Sequence, residues 1–238
     1  MSATPHKILI IRNDKLGDFM LAFPAFLMAR ASLADSQIHA LVPEYTRELA
    51  EACTGIDRLI IDPGPHAGLK AQWQLFRQLR REKYTAVVTL FSTTRTGLLC
   101  WLAGIDYRLA PATKLAQIFY NHTLKQRRSR SAKPEFEYNL DLIRCFVAHM
   151  NQSAARLSPP YLQFNVTEIR QLRQRFEASH QIPAGQRLIL IHPGSGGSAN
   201  NLSPPQYAEL ARQLHVAGQT HFGITAGPGQ RVTHQQVV

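Results

Sequence analysis

Two short apolar runs that each end in a polar turn constrain the fold of this chain more than any other feature. The first run, Ile8 to Ile11, leads into Arg12–Asp18, and an apolar stretch with helical spacing follows at once. The second run, Leu188 to Ile191, leads into the glycine- and serine-rich turn Gly194–Ser198. A strand, a turn and a helix in this order are typical of parallel α/β sheets, which hold ligands beyond the carboxyl ends of their strands. Two such units far apart predict two Rossmann-like domains.

The rest of the chain alternates β-rich runs with helical periods, which is typical of parallel sheets wound on both faces. The predicted strands are 7–12, 37–42, 58–61, 86–90, 107–109, 187–191 and 220–225. The predicted helices are 18–32, 45–53, 69–82, 94–103, 134–149, 168–180 and 203–216. We expect Thr167 to cap the helix at 168–180. The apolar positions of the helix at 69–82 that are expected to face the core are Leu69, Trp73, Phe76 and Leu79.

A segment rich in Ser, Ala and Pro at 151–160 interrupts this alternation and predicts the connection between two domains. The expected domains are an N-terminal Rossmann-like domain at 1–160 and a C-terminal one at 161–238. The C-terminal part contains only two clear strands. Because two strands leave sheet edges exposed and bury little apolar surface, we expect this second domain to be truncated.

The positive charge of the chain is unevenly distributed. The formal net charge is +11, and the segment 107–134 contains seven basic residues and no acidic one. These basic residues are Arg108, Lys114, Lys125, Arg127, Arg128, Arg130 and Lys133. Two interpretations stay open for this segment: a solvated loop, or a docking surface for a polyanion such as phosphorylated lipid, membrane headgroups or nucleic acid.

Other sequence features exclude several classes of protein. The apolar runs are too short to span a bilayer, and the N-terminus lacks the pattern of a secretory signal, so we expect a cytoplasmic protein. Cys53, Cys100 and Cys145 are odd in number and widely spaced, which indicates reduced thiols. The histidines are scattered without the spacing of metal ligands. The sequence therefore predicts neither a metal nor a cofactor.

Asp18 is the first candidate for a functional side chain, because it follows the first strand at the edge where ligands bind. Gly17 is expected to let the backbone turn sharply before it. An aspartate near a helix start can also serve simply as a cap. In the functional interpretation, its carboxylate accepts a proton from an attacking hydroxyl group.

Gly194–Ser198 is the second candidate, because small residues let backbone N–H groups approach an anion closely at a helix start. An ordinary glycine turn is the alternative. The segment lacks the Gly-Lys-Ser/Thr of a P-loop. A nicotinamide site is also poorly supported, because no Asp or Glu follows Glu209 to hold a ribose.

These segments resemble parts of glycosyltransferase family 9, the ADP-heptose:lipopolysaccharide heptosyltransferases. Residues 10–18 together with 21–25 resemble the start of the family. Residues 191–201 resemble its donor-phosphate loop, and 225–229 resemble the turn after the next strand. The three segments occur in the family order and together span nearly the whole chain.

The resemblance implies a GT-B architecture, in which the first of two Rossmann-like domains binds the acceptor and the second binds the nucleotide-sugar. It implies inverting transfer of a heptose or related sugar from an ADP-sugar to an anionic, lipid-linked lipopolysaccharide core acceptor at the inner face of the cytoplasmic membrane. Asp18 matches the general base and Arg12 the neighbouring basic position, with Lys15 and Gly17 in the same cleft. The residues that match the diphosphate-binding loop are Gly194, Ser195, Gly196, Gly197, Ser198 and Asn200.

The chain departs from the family in two respects. Many members carry a Lys where this chain has Asn200, and the later acidic, glycine-containing motif of the nucleotide pocket is absent. We therefore expect this chain alone to bind ADP-sugar weakly and turn over poorly. The alternatives are a non-catalytic relative or a basic polyanion-binding module. A nucleic-acid partner is not expected, because no nucleic-acid motif supports it.

Overall fold

The computed structural model describes residues 6–112, 115–194 and 201–227 of the chain. These residues fall into two compact units, one ending at Gln163 and the other beginning at Phe164. Within the described residues, no helix combines the length and the apolar character that crossing a bilayer requires.

The first unit contains a parallel sheet of six strands in the order β3-β2-β1-β4-β5-β6. The strands are β1 Lys7–Ile11, β2 Gln37–Pro43, β3 Arg58–Asp62, β4 Ala86–Thr89, β5 Tyr107–Pro111 and β6 His122–Leu124. The chain runs outward from β1 to β3 and then crosses back to β4 on the other side of β1. The strand order therefore reverses between β1 and β4, and this is the position where open α/β sheets hold ligands.

Helices cover both faces of this sheet. They are α1 Leu16–Met20, α2 Phe23–Ser32, α3 Arg47–Glu51, α4 Leu69–Glu82, α5 Thr94–Leu102 and α6 Glu135–His149. Because successive strand residues point to opposite faces, Ile8 and Ile10 pack in the core beneath α2 and α6. Leu9 and Ile11 pack on the other face beneath α4 and α5.

The structure corrects the prediction of one helix at 18–32, because α1 and α2 are separate. Pro24 lies near the start of α2, and a proline ring clashes with the carbonyl four residues earlier, here that of Met20. The predicted sharp turn at Gly17 is also wrong, since Gly17 lies inside α1. The short strand β6 was not predicted.

The inward face predicted for α4 is wrong at its N-terminal end. Leu75 and Leu79 are buried, and Phe76 is partly buried against the same core. Leu69 is 89% exposed and Trp73 is 59% exposed.

The second unit contains two parallel strands, β7 Arg187–Ile191 and β8 Thr220–Ile224, and two helices, α7 Val166–Ser179 and α8 Pro204–Leu214. Neither α7 nor α8 has a buried residue. The predicted cap at Thr167 is wrong, because the Asn165 side chain accepts hydrogen bonds from the N–H groups of Thr167 and Glu168.

Candidate active site

The four predicted cleft residues of the first unit lie beyond the carboxyl end of β1. Arg12 follows the last strand residue directly, Lys15 precedes α1, and Gly17 and Asp18 lie inside α1. This end of β1 is beside the end of β4, because the two strands pair in parallel. Arg12 and Asp18 therefore lie at the switch point of the sheet, which is the position between β1 and β4 where the strand order reverses.

Arg12 is the centre of the site, with only 2% of the residue exposed. Its Nε lies 2.7 Å from a carboxylate oxygen of Asp14, without hydrogen-bond alignment, and its Nη2 lies 3.2 Å from Asp18. Its Nη1 lies 3.7 Å from Glu135 and donates a hydrogen bond of 3.2 Å to the Asn139 side chain. A buried guanidinium needs such partners, and its planar shape fixes the positions of the groups around it.

Asn139 anchors this arrangement from α6. It is fully buried, and its Nδ2 donates a 3.0 Å hydrogen bond to the carbonyl oxygen of Leu21. Asn139 therefore links α6, Arg12 and the junction between α1 and α2. The orientation of Arg12 is set by a side chain far away in the sequence.

The Asp18 carboxylate is 35% exposed and lies against the Arg12 guanidinium. The phenyl ring of Phe91, which follows β4, lies beside the same guanidinium at 6.0 Å from its central carbon. Arg12 thus holds one side of the Asp18 carboxylate while another part of it stays accessible. A hydroxyl group could approach it from solvent.

Asp14 places a second carboxylate beside Asp18. Burial is the largest influence on Asp14 and raises its pKa; Arg12 opposes this effect and the Asp18 charge adds to it. The Tyr45 hydroxyl donates a hydrogen bond to the backbone oxygen of Asp14. The pKa of Tyr45 is raised by burial and by both carboxylates. The site therefore concentrates negative charge around one buried cation.

Glu135 connects Arg12 to a residue of the segment 107–134, which we call the basic segment. It accepts a hydrogen bond from Arg128, whose Nη2 also donates to the carbonyl oxygen of Leu90 at 3.3 Å. Burial lowers the pKa of Arg128, and Glu135 counteracts this effect. Arg128 is therefore a part of the site and not a free surface charge.

The basic segment is divided by the fold. Arg108 donates hydrogen bonds to the backbone oxygens of Ile105 and Phe119, and Lys133 pairs with Asp141. The exposed cations of the segment 107–134 are Lys125, Arg127 and Arg130, while Lys114 lies outside the described residues. Because these exposed cations follow β6, they lie at the same carboxyl edge of the sheet as Asp18.

A second polar network supports the turn that follows β1. The buried carboxylate of Asp62, at the end of β3, accepts hydrogen bonds from Asn13, Arg95 and the N–H of Gly64. Asn13 is the neighbour of Arg12 in the sequence. Asp62 therefore ties the turn that carries the site to β3 and to the start of α5.

Sequence reasoning missed Glu135, Asn139 and Arg128 as members of the site. A weak signal was available for the first two, because Glu135 and Asn139 are four residues apart on α6 and share one helix face. Asn139 is a buried polar residue on a helix whose other buried residues are apolar or aromatic. Such a residue needs a hydrogen-bond partner elsewhere in the fold.

The predicted donor loop belongs to the second unit. Gly194 follows β7, while Ser195, Gly196, Gly197, Ser198 and Asn200 lie outside the described residues. The His192 ring nitrogen lies 2.9 Å from the Thr225 hydroxyl, which links the ends of β7 and β8. The Asn201 side chain donates a 3.0 Å hydrogen bond to the carbonyl oxygen of Pro193. Polar contacts therefore hold the described residues on both sides of this loop.

Comparison with known proteins shows that the chain is similar in sequence to proteins named as glycosyltransferases. No protein-family model matches it. It is 46% identical over 224 residues to a Haemophilus influenzae protein named "Putative glycosyltransferase", covering 94% of this chain and 64% of that protein. It is 23% identical to lipooligosaccharide heptosyltransferase 2 of Haemophilus ducreyi, covering 89% of this chain and 61% of that protein. The chain thus spans somewhat less than two thirds of the length of these relatives.

Solved structures show the same fold. The glycosyltransferase family 9 structure from Veillonella parvula matches with a TM-score of 0.76 at 20% identity, covering 100% of this chain and 67% of that one. The E. coli ADP-heptose LPS heptosyltransferase II matches with a TM-score of 0.77 at 19% identity, covering 97% and 67%. These matches confirm the predicted α/β fold of GT-B type. The chain is a relative of the glycosyltransferases, and the predicted resemblance to glycosyltransferase family 9 is confirmed.

Proposed function

We propose that this chain provides the acceptor side of an inverting glycosyltransferase. The enzyme moves a heptose or a related sugar from an ADP-sugar to a lipopolysaccharide core acceptor. The observation that supports this best is the partly exposed Asp18 carboxylate held by the buried Arg12 at the switch point of the sheet. In this proposal, residues 1–160 form the acceptor-binding domain and 161–238 belong to the nucleotide-sugar domain.

Asp18 acts as the general base in this proposal. One of its carboxylate oxygens takes the proton of the acceptor hydroxyl while the hydroxyl oxygen attacks the anomeric carbon of the donor. The bond between that carbon and the diphosphate breaks, and ADP leaves with its electron pair. Attack opposite the leaving group inverts the configuration. Arg12 orients Asp18 and limits its mobility, which is the contribution expected of a rigid supporting residue.

The donor diphosphate is proposed to bind at the loop that begins with Gly194. Backbone N–H groups of Ser195–Ser198 would stabilise the negative charge that develops on the leaving diphosphate. Asn200 would contribute a neutral amide there, without the point charge of a lysine. This assignment is supported by the resemblance to the family and by the relatives named above.

The acceptor is proposed to be anionic and lipid-linked. Lys125, Arg127 and Arg130 are exposed at the carboxyl edge of the sheet, where they could attract its negative groups toward Asp18. Such an acceptor is presented at a membrane, so the enzyme would act in the cytoplasm with peripheral contact to the inner face of the cytoplasmic membrane.

The test is a comparison of single-turnover transfer rates from ADP-heptose to a core acceptor. Replacing Asp18→Asn keeps the size of the side chain and removes its basicity. We expect the rate to fall by about 10²–10⁴-fold with ADP binding retained, the range typical of general-base catalysis. Asp35→Asn, which changes an exposed carboxylate before β2, is the matched control and should keep the parent rate. A parent-like rate in Asp18→Asn would contradict the proposed role.

A further inference from the structure

An exposed apolar surface lies on the face of the first unit formed by α4 and α5. We call it the α4–α5 face, and its members are Leu69, Trp73 and Phe76 on α4 and Leu98, Trp101 and Leu102 on α5. Trp73 is 59% exposed, Trp101 52% and Leu102 48%. Large apolar side chains exposed together usually mark an interaction surface, whereas single ones are common on any protein.

The members of this face are close neighbours. Leu69, Trp73, Phe76 and Leu102 line one groove of about 470 Å³ between the two helices. The rings of Trp73 and Phe76 are 5.0 Å apart. Leu98, Trp101 and Leu102 share one side of α5, because they are spaced three and four residues apart. The apolar side chains therefore form a continuous patch.

A short 3-10 helix at Leu115–Phe119 extends the patch beyond α5. Its Leu115 is 75% exposed and its Ile118 is 71% exposed. The helix packs tightly on α5, since a Cβ atom added to Gly97 would lie 3.0 Å from the Cβ of Phe119. The patch is thus built on packed helices.

The charged side chains of α4 and α5 are almost all positive. The exposed cations of α4 are Lys70, Arg77, Arg80 and Arg81, and Arg80 lines the groove itself. The only acidic residue of α4 is Glu82 at its last position, and it pairs with Lys7 and Arg58. The α5 sequence contains no acidic residue. The face therefore suits a partner that accepts apolar side chains and carries negative charge.

We propose that the α4–α5 face docks on an anionic lipid bilayer. Tryptophan side chains favour the boundary between lipid and water, and exposed Lys and Arg side chains are attracted to anionic headgroups. A second copy of this chain fits the same surface poorly, because a symmetric contact would bring the cations of two α4 helices together. This inference rests on the proposed function, because a lipid-linked acceptor is presented at a bilayer.

The two tryptophans of the chain provide a direct probe, because Trp73 and Trp101 both lie on this face. We expect their fluorescence to shift to the blue when the full chain is mixed with vesicles of phosphatidylcholine and phosphatidylglycerol. Lipids brominated on their acyl chains should quench the shifted emission. Vesicles of phosphatidylcholine alone should give a weaker effect, because they lack the negative charge.

Variants separate the apolar and charged contributions to vesicle co-sedimentation. Arg77→Gln with Arg80→Gln should weaken binding to the anionic vesicles by about tenfold or more. Arg170→Gln with Arg175→Gln removes the same charge from α7 and should change binding much less. Leu69→Ser with Trp73→Ser should also weaken binding, whereas Leu172→Ser, at a position on α7 that is 62% exposed, should not.

Two outcomes would overturn the proposal. The first is unchanged fluorescence and no co-sedimentation with anionic vesicles. The second is a blue shift that grows with protein concentration in the absence of lipid, which would assign the face to protein association. The Asp18→Asn variant should bind vesicles like the parent chain. Loss of transfer and loss of docking are therefore distinguishable.

Discussion

In the first unit, the central strands are buried on both faces, and Ile8 to Ile11 of β1 are completely inaccessible to solvent. In the second unit, Leu190 of β7 is 61% exposed, and the helices α7 and α8 bury none of their residues. The comparable helix α6 of the first unit buries seven residues. Helical periodicity in a sequence therefore does not reveal how much of an amphipathic face is covered.

The proposed site segments of the two units differ in the same way. In the first unit, Arg12 and Asn139 are buried and fix the position of the partly exposed Asp18. In the second unit, the polar contact between His192 and Thr225 is exposed. We infer that the proposed general base is supported by buried side chains, whereas the described ends of the proposed donor loop depend on surface contacts.

The largest expected effect compares one phenylalanine from each unit. Phe26 is fully buried, with its ring 5.7 Å from that of Phe19. Phe26→Ala should destabilise the first unit by about 3–5 kcal/mol, because it removes a buried ring and leaves a cavity. Phe176 lies on α7 and is 37% exposed. Phe176→Ala should therefore destabilise the second unit by about 1 kcal/mol or less. Urea unfolding measured by tryptophan fluorescence follows the first unit, since Trp73 and Trp101 both belong to it.

Amide hydrogen exchange, measured on peptides from β1 and β7, distinguishes the units within one sample. Phe26→Ala should accelerate exchange in β1 more than in β7. If Phe176→Ala proved as destabilising as Phe26→Ala, the contrast between the two units would be wrong.

Much of this architecture could be predicted from the sequence. The predicted α4 and β7 match the observed bounds, because strong periodicity and clear turn residues mark their ends. The strand β6 was missed because it has only three residues and no apolar run. The exposure of Trp73 was missed because the spacing of apolar residues on one helix does not show which of them another element covers.

The candidate site was predictable only where its residues are close together in the sequence. Arg12 and Asp18 follow the first strand within one motif, so their proximity could be expected. The contact between Arg12 and Asn139 joins residues separated by 127 positions, and it depends on the packing of α6. No spacing rule within a single segment predicts such a contact.

A smaller effect is expected at the start of α7, where the structure assigns the cap to Asn165. Asn165→Ala should destabilise this helix by about 1 kcal/mol, because two N–H groups lose their acceptor. Thr167→Ala should change its stability by at most about 0.5 kcal/mol, since its side chain is exposed and is not the cap. Hydrogen exchange of the first turn of α7 measures both variants. If Thr167→Ala destabilised the helix more than Asn165→Ala, the cap would be Thr167, as expected from the sequence.

The most gradual effect is a dependence of stability on pH in the first unit. His39 is 4% exposed, and its Nδ1 lies 2.8 Å from the Tyr84 hydroxyl. Burial lowers the pKa of His39; Lys7 and Arg58 act in the same direction, while Glu82 and Asp57 oppose it. The folded state therefore favours the neutral ring, whereas the unfolded chain binds a proton below about pH 6.5.

This contribution of His39 should be complete above about pH 6.5 and should decrease as the pH falls toward the lowered pKa, by at most about 1.4 kcal/mol per pH unit. Urea midpoints from tryptophan fluorescence at neutral and mildly acidic pH measure the slope. His39→Phe combined with Tyr84→Phe keeps the aromatic packing and should flatten the slope. The double variant should not abolish the pH dependence, because burial also lowers the pKa of His122. His180→Gln, which changes an exposed ring in the second unit, is the control. An unchanged slope in the double variant would show that the buried His39 is not a source of the acid sensitivity of the first unit.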